Sequence, residues 1–355
     1  MPALSIADFT EFLLFNSQNG YYITQNPIGK NADFITAPEI SQLFGETLAV
    51  YLLHLANNYN EPLTLVEMGA GRGTLFFDLL NTINKLSNKF NINFLAQTKL
   101  AIIESSPALQ KVQQQKLANF SRYLDIKWYQ DFKDFIANND RPILFVSNEL
   151  LDCFAINQFV KTAEGWQLRL VEFDGKLAEL QKSPHNLTND LKFILQPTNQ
   201  KLIFDILGDN LANSAPIGAV FEHSASMSNF FQQLCLAIKA FGGVAINIDY
   251  GYCNYDFSNS LQVIVKQQKV PFLKGCLQGD ITALVDFNHL GNIAKANQLE
   301  FSLINKAKFL LDLGIIQRAQ YLLTTNPQQA SNIAKDVDRL IGDMGNLFKV
   351  MIIWR

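Results

Sequence analysis

The sequence predicts an α/β fold in which a mixed sheet carries helices on both faces. Residues 61–76 read as an apolar strand, a tight glycine turn and the start of a helix. Further apolar strands at 99–103, 142–146 and 244–248 alternate with helical patterns, which indicates parallel strands joined by helices. The apolar segment 347–354 follows helices at the end of the chain and fits an antiparallel last strand that closes the sheet.

The glycine turn is the strongest sign of a ligand site. The first strand reaches Glu67, and Gly69, Gly71 and Gly73 follow at alternate positions before a helix begins at Thr74. Glycine permits positive φ and close approach of a ligand, and a helix N-terminus offers free N–H groups. The spacing fits neither the dinucleotide pattern G-x-G-x-x-G nor the phosphate loop, which needs G-K-[ST]. A purely structural turn is the alternative interpretation.

Composition limits the classes of function. The chain has 355 residues, 48% of them hydrophobic, which is enough for one large domain or two ordinary ones. Its 29 basic and 32 acidic residues give a net charge of −3 without a basic stripe, so we expect no nucleic-acid partner. The four cysteines are scattered with no C-x-x-C pair, which favours reduced thiols over a metal site or disulfides.

Targeting signals are also missing from the sequence pattern. The first lysine is Lys30 and the first arginine is Arg72, so neither a charged signal-peptide start nor an Arg-rich transit peptide is visible. No apolar run approaches the roughly 20 residues that span a bilayer. The pattern predicts a cytoplasmic protein without membrane insertion.

Two helices are expected before the glycine turn. Apolar spacing predicts a helix over 3–18. A second helix is expected from Pro38 to about Asn57, with Thr36 available as its cap and Glu39 near its positive end. On these observations alone, a well-capped helix is the favoured interpretation of this segment.

Acidic residues follow the next two strands. Glu104 ends the strand 99–103, where a carboxylate can accept two hydrogen bonds from a ribose diol, although a strand can also end on a solvated acid. Asp131 follows the short strand 126–129 and is a candidate acceptor for the exocyclic amine of adenine. The alternative, that Asp131 has no functional role, is equally well supported by the sequence. Phe132 is expected to belong to the core.

The strand 142–146 leads directly into the best candidate for substrate chemistry. Asn148, Glu149 and Asp152 follow it, at the sheet edge where ligands of open α/β sheets bind. The two carboxylates could hold a guanidinium or position an amine for in-line attack on a methyl group. The alternative is that Ser147 or Asn148 caps a short helix.

The remainder of the chain contains an insertion and the second half of the sheet. Alternating apolar residues predict a β-meander over 157–180, followed by a poorly periodic stretch to residue 216. This insertion is a lid or substrate wall, or a structural addition. His223 near a helix start is given no role. The predicted segments are an N-terminal helical segment (1–60), a first half of the core (61–156), the insertion (157–220) and a second half of the core (221–355).

Several collinear segments together carry a family resemblance. Glu67-x-Gly-x-Gly-x-Gly-Thr resembles motif I of class I S-adenosylmethionine-dependent methyltransferases. The wider set resembles the MidA-like methyltransferases, a family that includes the mitochondrial complex I assembly factor. The segments of this chain that carry the resemblance are 33–46, 67–75, 104–109, 148–152, 248–252, 280–287 and 344–349.

The resemblance implies a class I methyltransferase fold with a seven-stranded Rossmann-like sheet, S-adenosylmethionine as donor, and methylation of an arginine on a partner protein. In the mitochondrial member that partner is a complex I subunit. We expect no metal site, and a homodimer is compatible with the sequence. By motif, the cofactor would contact Glu67, Gly69, Gly71, Gly73 and Glu104, with Thr36, Pro38, Glu39 and Gln42 closing over the site, and Asn148, Glu149 and Asp152 would face the acceptor.

Two departures from the family pattern affect the acceptor side. Leu284 stands where members usually carry His, and Ser258-Asn259-Ser260 stands where they carry Gly-Asp-Thr. The identity of the acceptor is therefore less firmly implied than methyl transfer. A cofactor-binding assembly factor with little catalysis and a methyltransferase with another acceptor remain the alternatives. An NAD-dependent oxidoreductase is disfavoured by the glycine spacing.

Overall fold

The computed structural model describes residues 2–15, 36–90, 92–122, 124–174, 191–265 and 268–355. The end of the helix predicted over 3–18, the start of segment 33–46 and the end of the predicted meander lie outside these residues. Among the described helices, none combines the length and apolarity that crossing a bilayer requires.

The strands of the described residues are β1 (Ala3–Ser5), β2 (Thr64–Met68), β3 (Lys99–Ile103), β4 (Ile126–Tyr129), β5 (Ile143–Asn148), β6 (Asn157–Thr162), β7 (Gly165–Glu172), β8 (Lys192–Pro197), β9 (Val220–His223), β10 (Gly243–Tyr252), β11 (Gln262–Val265), β12 (Gln268–Val270), β13 (Asp280–Thr282), β14 (Val285–Asp286), β15 (Glu300–Asn305) and β16 (Phe348–Trp354).

The helices are α1 (Ile6–Phe15), α2 (Ala37–Ile40), α3 (Gln42–Ala56), α4 (Thr74–Phe90), α5 (Phe94–Gln97), α6 (Pro107–Leu117), α7 (Phe132–Ala137), α8 (Lys201–Leu207), α9 (Asp209–Ser214), α10 (Ala225–Phe241), α11 (Phe272–Gly275), α12 (Phe287–Ala296), α13 (Lys306–Asp312), α14 (Ile315–Thr325), α15 (Ala330–Ile341) and α16 (Asp343–Leu347). Short 3₁₀ turns occupy Leu151–Cys153 and Pro327–Gln329.

The largest sheet confirms the predicted α/β fold. Its strand order is β15-β16-β10-β5-β2-β3-β4, with the two-residue β14 paired to β10. Strands β10, β5, β2, β3 and β4 are mutually parallel, and β16 is antiparallel to both of its neighbours. Strand β15 therefore runs parallel to β10, and both end at the sheet edge where β2 to β5 also end.

Helices cover both faces of this sheet because successive strand residues point to opposite sides. On β2, Leu65 joins the apolar cluster formed with α3, α4 and α13 to α15, whereas Val66 joins the cluster formed with α7, α10 and α12. Phe132 lies in the second cluster and packs edge-on against Phe145 and Phe230, as predicted for a core residue.

Two smaller sheets lie beside the main one. The first has the order β1-β7-β6-β9 with β8 on β7, and the second has the order β12-β11-β13. Helix α1 packs against residues of both, since Ile6 and Phe9 share a cluster with Val171 and Val263. The predicted start of the first helix at residue 3 is wrong, because Ala3 pairs in register with Glu172 as part of a strand.

The predicted helix from Pro38 to Asn57 is divided in two. Ser41 adopts an extended conformation (φ −157°, ψ 138°) between α2 and α3, and its Oγ accepts a hydrogen bond from Leu43 N–H at 3.5 Å. Ser41, not Thr36, is therefore the side-chain cap, and Thr36 makes no such bond. Apolar periodicity continues across the break, so hydrophobic spacing does not reveal it.

The sequence pattern over 306–323 predicts one helix, and the structure divides this segment as well. Gly314 takes a left-handed conformation (φ 85°) between α13 and α14. The apolar pattern of this segment predicts that Leu310 and Leu311 belong to the core. Leu310 is fully buried, but the prediction for Leu311 is wrong, because it is 45% exposed.

Candidate functional site

A cavity of about 600 Å³ opens at the carboxyl ends of β2, β3, β4 and β5. Ligands of open α/β sheets bind at this edge. Of the predicted site residues, the structure places seven on its wall: Thr36, Gly69, Gly71, Glu104, Asp131, Glu149 and Asp152. The described residues that line the cavity do not include the other six predicted residues, which are Glu67, Gly73, Pro38, Glu39, Gln42 and Asn148.

The glycine turn adopts backbone conformations that favour glycine. Gly69, Gly71 and Gly73 have φ angles of 73°, 52° and 73°. A Cβ on Gly69 would lie 2.9 Å from Leu150 Cδ1, and a Cβ on Gly73 would lie 3.3 Å from Gln113 Cγ. The turn thus brings bare backbone to the cavity and packs closely against two other segments of the site.

Glu67 lies beneath the turn and is 3% exposed. Burial raises the pKa of Glu67 to about 8, although the backbone of Phe76 in the first turn of α4 lowers it. No described residue donates a hydrogen bond to its Oε2 atom. In this position the side chain supports the turn and the start of the following helix from below.

Glu104 is held by two donors and remains on the cavity wall. Ser106 N–H donates to Oε1 at 2.9 Å, and Gln113 Nε2 donates to Oε2 at 3.1 Å. A carboxylate offers about four lone-pair positions, so acceptor capacity remains for two hydroxyl groups. Burial raises the pKa of Glu104 and the two donors lower it.

Gln113 is a site residue that the sequence reasoning missed. Its Nε2 also donates to Gly71 O at 2.9 Å, and its Oε1 accepts from Trp128 Nε1 at 3.1 Å. The fully buried amide thus connects the glycine turn, Glu104 and β4. Its partners are distant in sequence, and a glutamine inside a helix carries no signal that would have revealed them.

Asp131 is exposed at the start of α7 and lines the cavity. Its Oδ1 accepts a hydrogen bond from Asp134 N–H at 2.8 Å, so it caps the helix. One carboxylate can serve as cap and still present an acceptor to a ligand. Its contact with adenine stays a prediction.

The N-terminal segment reaches the site through α2. Thr36 lines the cavity, and Ala37 N–H donates to Glu149 Oε1 at 3.2 Å. Glu39 accepts a short hydrogen bond from Thr74 Oγ1 at the start of α4. Pro38 is buried and Gln42 is exposed at the first position of α3, and the structure gives neither a cavity contact.

Glu149 has a left-handed backbone, with φ of 54°. A non-glycine residue in this conformation costs about 1–2 kcal/mol, and such strain clusters at functional sites. Asn148 Nδ2 donates to its Oε1 at 3.1 Å, in addition to Ala37 N–H, and no described residue donates to Oε2. Burial, followed by the nearby Asp152 carboxylate, raises the pKa of Glu149 to about 7.

Asp152 accepts hydrogen bonds from two residues of other elements. Tyr250 OH donates a short bond and Thr282 Oγ1 donates at 3.1 Å, both to Oδ2. Burial raises the pKa of Asp152, and these donors lower it. The alternative of a helix cap at Ser147 or Asn148 is wrong, because both residues belong to β5 and the following 3₁₀ turn has no side-chain cap.

Asp249 supports this loop from below and was not predicted as a site residue. Its Oδ2 accepts from Leu151 N–H at 2.8 Å and from Asp152 N–H at 3.2 Å, and it is fully buried. Burial, then the charges of Asp152 and Glu149, raise its pKa well above the usual range. The sequence did carry a signal for Asp249, because it is an acid that follows an apolar run. The same signal led to the prediction of Glu104.

Comparison with known proteins decides what the cavity binds. A family profile described as S-adenosyl-L-methionine-dependent methyltransferase matches residues 44–304, which include the glycine turn and both carboxylate segments. The chain belongs to this methyltransferase family. Its cofactor is therefore S-adenosylmethionine, as the sequence predicted.

Relatives match the methyltransferase along nearly its whole length. Protein arginine methyltransferase NDUFAF7, mitochondrial, of Danio rerio is 29% identical over 98% of this chain and 82% of its own. The Caenorhabditis elegans homolog of that name is 27% identical over 99% and 83%. The predicted cytoplasmic location is contradicted by this comparison, because both relatives are named as mitochondrial proteins.

A solved structure confirms the fold. A Burkholderia thailandensis protein crystallised with S-adenosyl-homocysteine superposes with a TM-score of 0.81 at 23% identity, covering 99% of this chain and 88% of that one. At this identity the likeness concerns the fold alone.

The cavity of the methyltransferase suits a cationic sulfonium cofactor. Six of its lining residues are acids, and none of the described lining residues is a lysine or an arginine; the acids are Glu11, Glu104, Asp131, Glu149, Asp152 and Asp280. Opposite charge attracts most strongly where water is excluded. Glu104 and Asp131 lie near the glycine turn, whereas Glu149 and Asp152 follow β5, so one pocket offers two acidic ends.

Proposed function

We propose that this methyltransferase transfers a methyl group to an arginine side chain of a partner protein. The observation that carries the proposal is the pair of carboxylates, Glu149 and Asp152, on the wall of the cavity that also holds the glycine turn. Two carboxylates can bind the N–H groups of one guanidinium and fix its orientation. The names of the relatives, which are protein arginine methyltransferases, support the same acceptor.

The residues of the chain would divide the work between donor and acceptor. S-adenosylmethionine supplies, when bound, a methyl group on a positively charged sulfur. Gly69 and Gly71 would let the cofactor approach the backbone closely, and Glu104 would bind its ribose. Glu149 and Asp152 would align the guanidinium, and alignment of the reacting atoms is the main requirement of such a transfer.

Glu149 also has the properties of a proton acceptor. Its raised pKa of about 7 lies near neutral pH, where a general base is most effective. Both of its hydrogen bonds from described residues end on Oε1, which leaves Oε2 for the acceptor. We expect Oε2 to take up the proton that the methylated nitrogen loses.

The test is methyl transfer to an arginine-containing peptide from a radiolabelled donor. We expect Glu149→Gln and Asp152→Asn each to lower kcat/KM by about 10²-fold or more, because charged contacts to the reacting group are lost. Binding of S-adenosylhomocysteine, measured by calorimetry, should change little. Asp125→Asn removes an exposed acid away from the cavity and serves as the matched control.

Other outcomes would assign a different function. Label on lysine or another residue would reject the arginine acceptor and keep methyl transfer. Intact cofactor binding with no labelled product in any extract would favour an assembly factor with little catalysis. Wild-type activity of Glu149→Gln would remove that residue from the mechanism.

We extend the proposal to the partner and the chain's organisation. The family resemblance suggests a respiratory complex I subunit as acceptor, and labelling of an isolated complex I preparation tests this directly. A homodimer and the four-segment division, with 157–220 as the acceptor-side wall, stay predictions. Sedimentation of the purified chain tests the first, and deletion of the insertion tests the second.

A further inference from the structure

A lysine is buried beneath the acceptor side of the cavity. Lys306 follows β15 directly, at the sheet edge where β5 and β10 also end, and it is fully buried. Its Nζ lies 4.0 Å from the centroid of the Phe348 ring. No described residue accepts a hydrogen bond from this Nζ. A buried ammonium without such partners is costly unless nearby negative charge compensates it.

The compensating charges belong to the proposed acceptor site. Glu149 and Asp249 raise the pKa of Lys306, while burial, the larger effect, lowers it to about 8. Phe348 connects the same groups by packing: it is the register partner of Tyr250 on β10, and the two rings lie 5.3 Å apart. Lys306 thus belongs to one cluster with the loop that follows β5.

Asp249 transmits the effect of the lysine to the loop. Its carboxylate accepts the backbone N–H groups of Leu151, Asp152 and Tyr250 at 2.8, 3.2 and 2.9 Å. Those bonds are strongest when the carboxylate is ionised. A neutral Asp249 would hold the loop that carries Asp152 less firmly.

We propose that Lys306 is a positioning residue whose buried ammonium favours the ionised forms of Glu149 and Asp249, so that the acceptor loop is ready to bind a cation. Only the identity of that cation as a guanidinium rests on the function proposed above. The charged groups of the cluster are Glu149, Asp152, Asp249 and Lys306, three acids and one base. Tyr250 faces them with a hydroxyl that stays protonated.

The proposal predicts that replacing Lys306 changes the pKa of Glu149. Replacing a lysine with a merely structural role would leave that pKa unchanged. Glu149 is followed by carbon-13 NMR of labelled glutamate carboxyls and assigned by the signal that Glu149→Gln removes. Lys306→Met should raise the measured pKa of Glu149 by about one unit or more, because the positive charge that lowers this pKa is gone. Lys306→Arg keeps the positive charge, so it should shift the pKa of Glu149 by no more than about half as much as Lys306→Met does.

A second measurement avoids any variant of the lysine itself. If the two groups interact, Glu149→Gln should lower the pKa of Lys306, observed at its ε-carbon, by a similar amount. An unchanged Glu149 pKa in Lys306→Met, or an unchanged Lys306 pKa in Glu149→Gln where Lys306→Met does not fold, would overturn the proposal.

Activity measurements separate this inference from the proposed function. With an arginine peptide as acceptor, the acid limb of the kcat/KM profile should move to higher pH in Lys306→Met and return toward wild type in Lys306→Arg. Coupled titrations with no methylated peptide in any variant would reject the proposed function and keep the inference. If Lys306→Met methylates the peptide, and both the acid limb and the pKa of Glu149 are unchanged, the inference about Lys306 is rejected and the proposed function is kept.

Discussion

A single buried amide, Gln113, holds together the cofactor end of the site. It donates to Gly71 O and Glu104 Oε2 and accepts from Trp128 Nε1. These partners follow or belong to three different strands, β2, β3 and β4. Two of these bonds are buried and the bond from Trp128 is partly buried. Replacing the amide therefore leaves three polar groups without their partner, and each such group, where buried, costs about 1–3 kcal/mol.

Gln113→Leu should therefore weaken cofactor binding although Gln113 is not among the described residues that line the cavity. We expect the affinity for S-adenosylhomocysteine to fall about tenfold and the free energy of unfolding to fall by about 1–3 kcal/mol. Calorimetry and urea unfolding measure the two effects. Gln114→Leu, exposed on the same helix, is the matched control. Equal affinity of the two variants would show that Gln113 does not organise the site.

Residues at strand ends could be predicted from the sequence, and those reached only through the fold could not. Glu104 and Glu149 stand directly after apolar strands, so sequence position alone places them at the ligand edge. Gln113 meets Gly71 across 42 residues, and Asp249 meets Leu151 across 98. Lys306 reads as a surface charge in sequence, because its buried position depends on β15 being placed beside β16.

The glycine turn acts as one element, and Gly69 is its tightest point. Alanine at this position would have to adopt a φ near 73° and would place its Cβ 2.9 Å from Leu150 Cδ1. A left-handed alanine costs about 1–2 kcal/mol. The clash pushes against Leu150, which lies between Glu149 and the 3₁₀ turn that carries Asp152.

Gly69→Ala should lower the free energy of unfolding by about 1–2 kcal/mol. It should also lower the affinity for the cofactor by about tenfold or more. Gly208→Ala is a sharp control, since Gly208 has a φ of 77° with nothing within 4 Å of the added Cβ. It should lose stability alone. If Gly69→Ala bound S-adenosylhomocysteine as tightly as Gly208→Ala, close approach at the turn would not matter for the cofactor.

Helix α3 is attached to α14 by a two-point ion pair. Arg318 Nε and Nη2 donate to the two oxygens of Glu46 at 2.7 and 3.0 Å. The pair is partly buried, with side-chain exposures of 37% and 11%. Paired contacts of this geometry are stronger than the usual surface pair.

Glu46→Gln should lower the free energy of unfolding by about 1–2 kcal/mol, because one charge of a partly buried pair is removed. Lys308→Met breaks the exposed pair with Asp312 on α13 and should cost less than about 0.5 kcal/mol. Urea unfolding of both variants makes the comparison. Equal losses would mean that α3 is held by its apolar face alone.

The elements that could be predicted are those with an apolar pattern of their own. Strands β3 and β5 are continuous buried runs and need no neighbour to be recognised. The break at Ser41 has no such signal, because Ala37, Leu43 and Leu48 on both sides of it are all buried. The contact of α2 with Glu149 is a tertiary interaction, and the apolar pattern carries no sign of it either.

At the scale of the whole molecule, the important property is where acids are buried. The net charge of −3 predicts nothing unusual, yet Glu67, Glu104, Asp249 and Asp286 are all nearly or fully buried. Each has a pKa raised by burial, because the charged form is poorly solvated. The fold class was predictable from strand order, whereas this concentration of charge depends on the assembled sheet edge.

The buried acids should make the apo protein less stable as the pH rises through neutrality. An acid with a raised pKa binds more protons folded than unfolded, so stability falls with pH until the folded pKa is passed. For Glu149 and Glu67 that limit is about 7 and about 8. His223, with its pKa lowered to about 4, opposes this trend only below its unfolded value of about 6.5.

The acids therefore dominate between about pH 6.5 and about pH 8, and each contributes a slope of at most about 1.4 kcal/mol per pH unit. Lys306 adds an opposing slope only above its pKa of about 8. Urea unfolding across this range should show falling stability, and Glu67→Gln should flatten the decline and gain about 1–3 kcal/mol near pH 8. Glu61→Gln, an exposed control, should keep the wild-type slope. A wild-type slope in Glu67→Gln would mean that Glu67 ionises in the folded chain as easily as in water, which its burial at 3% exposure argues against.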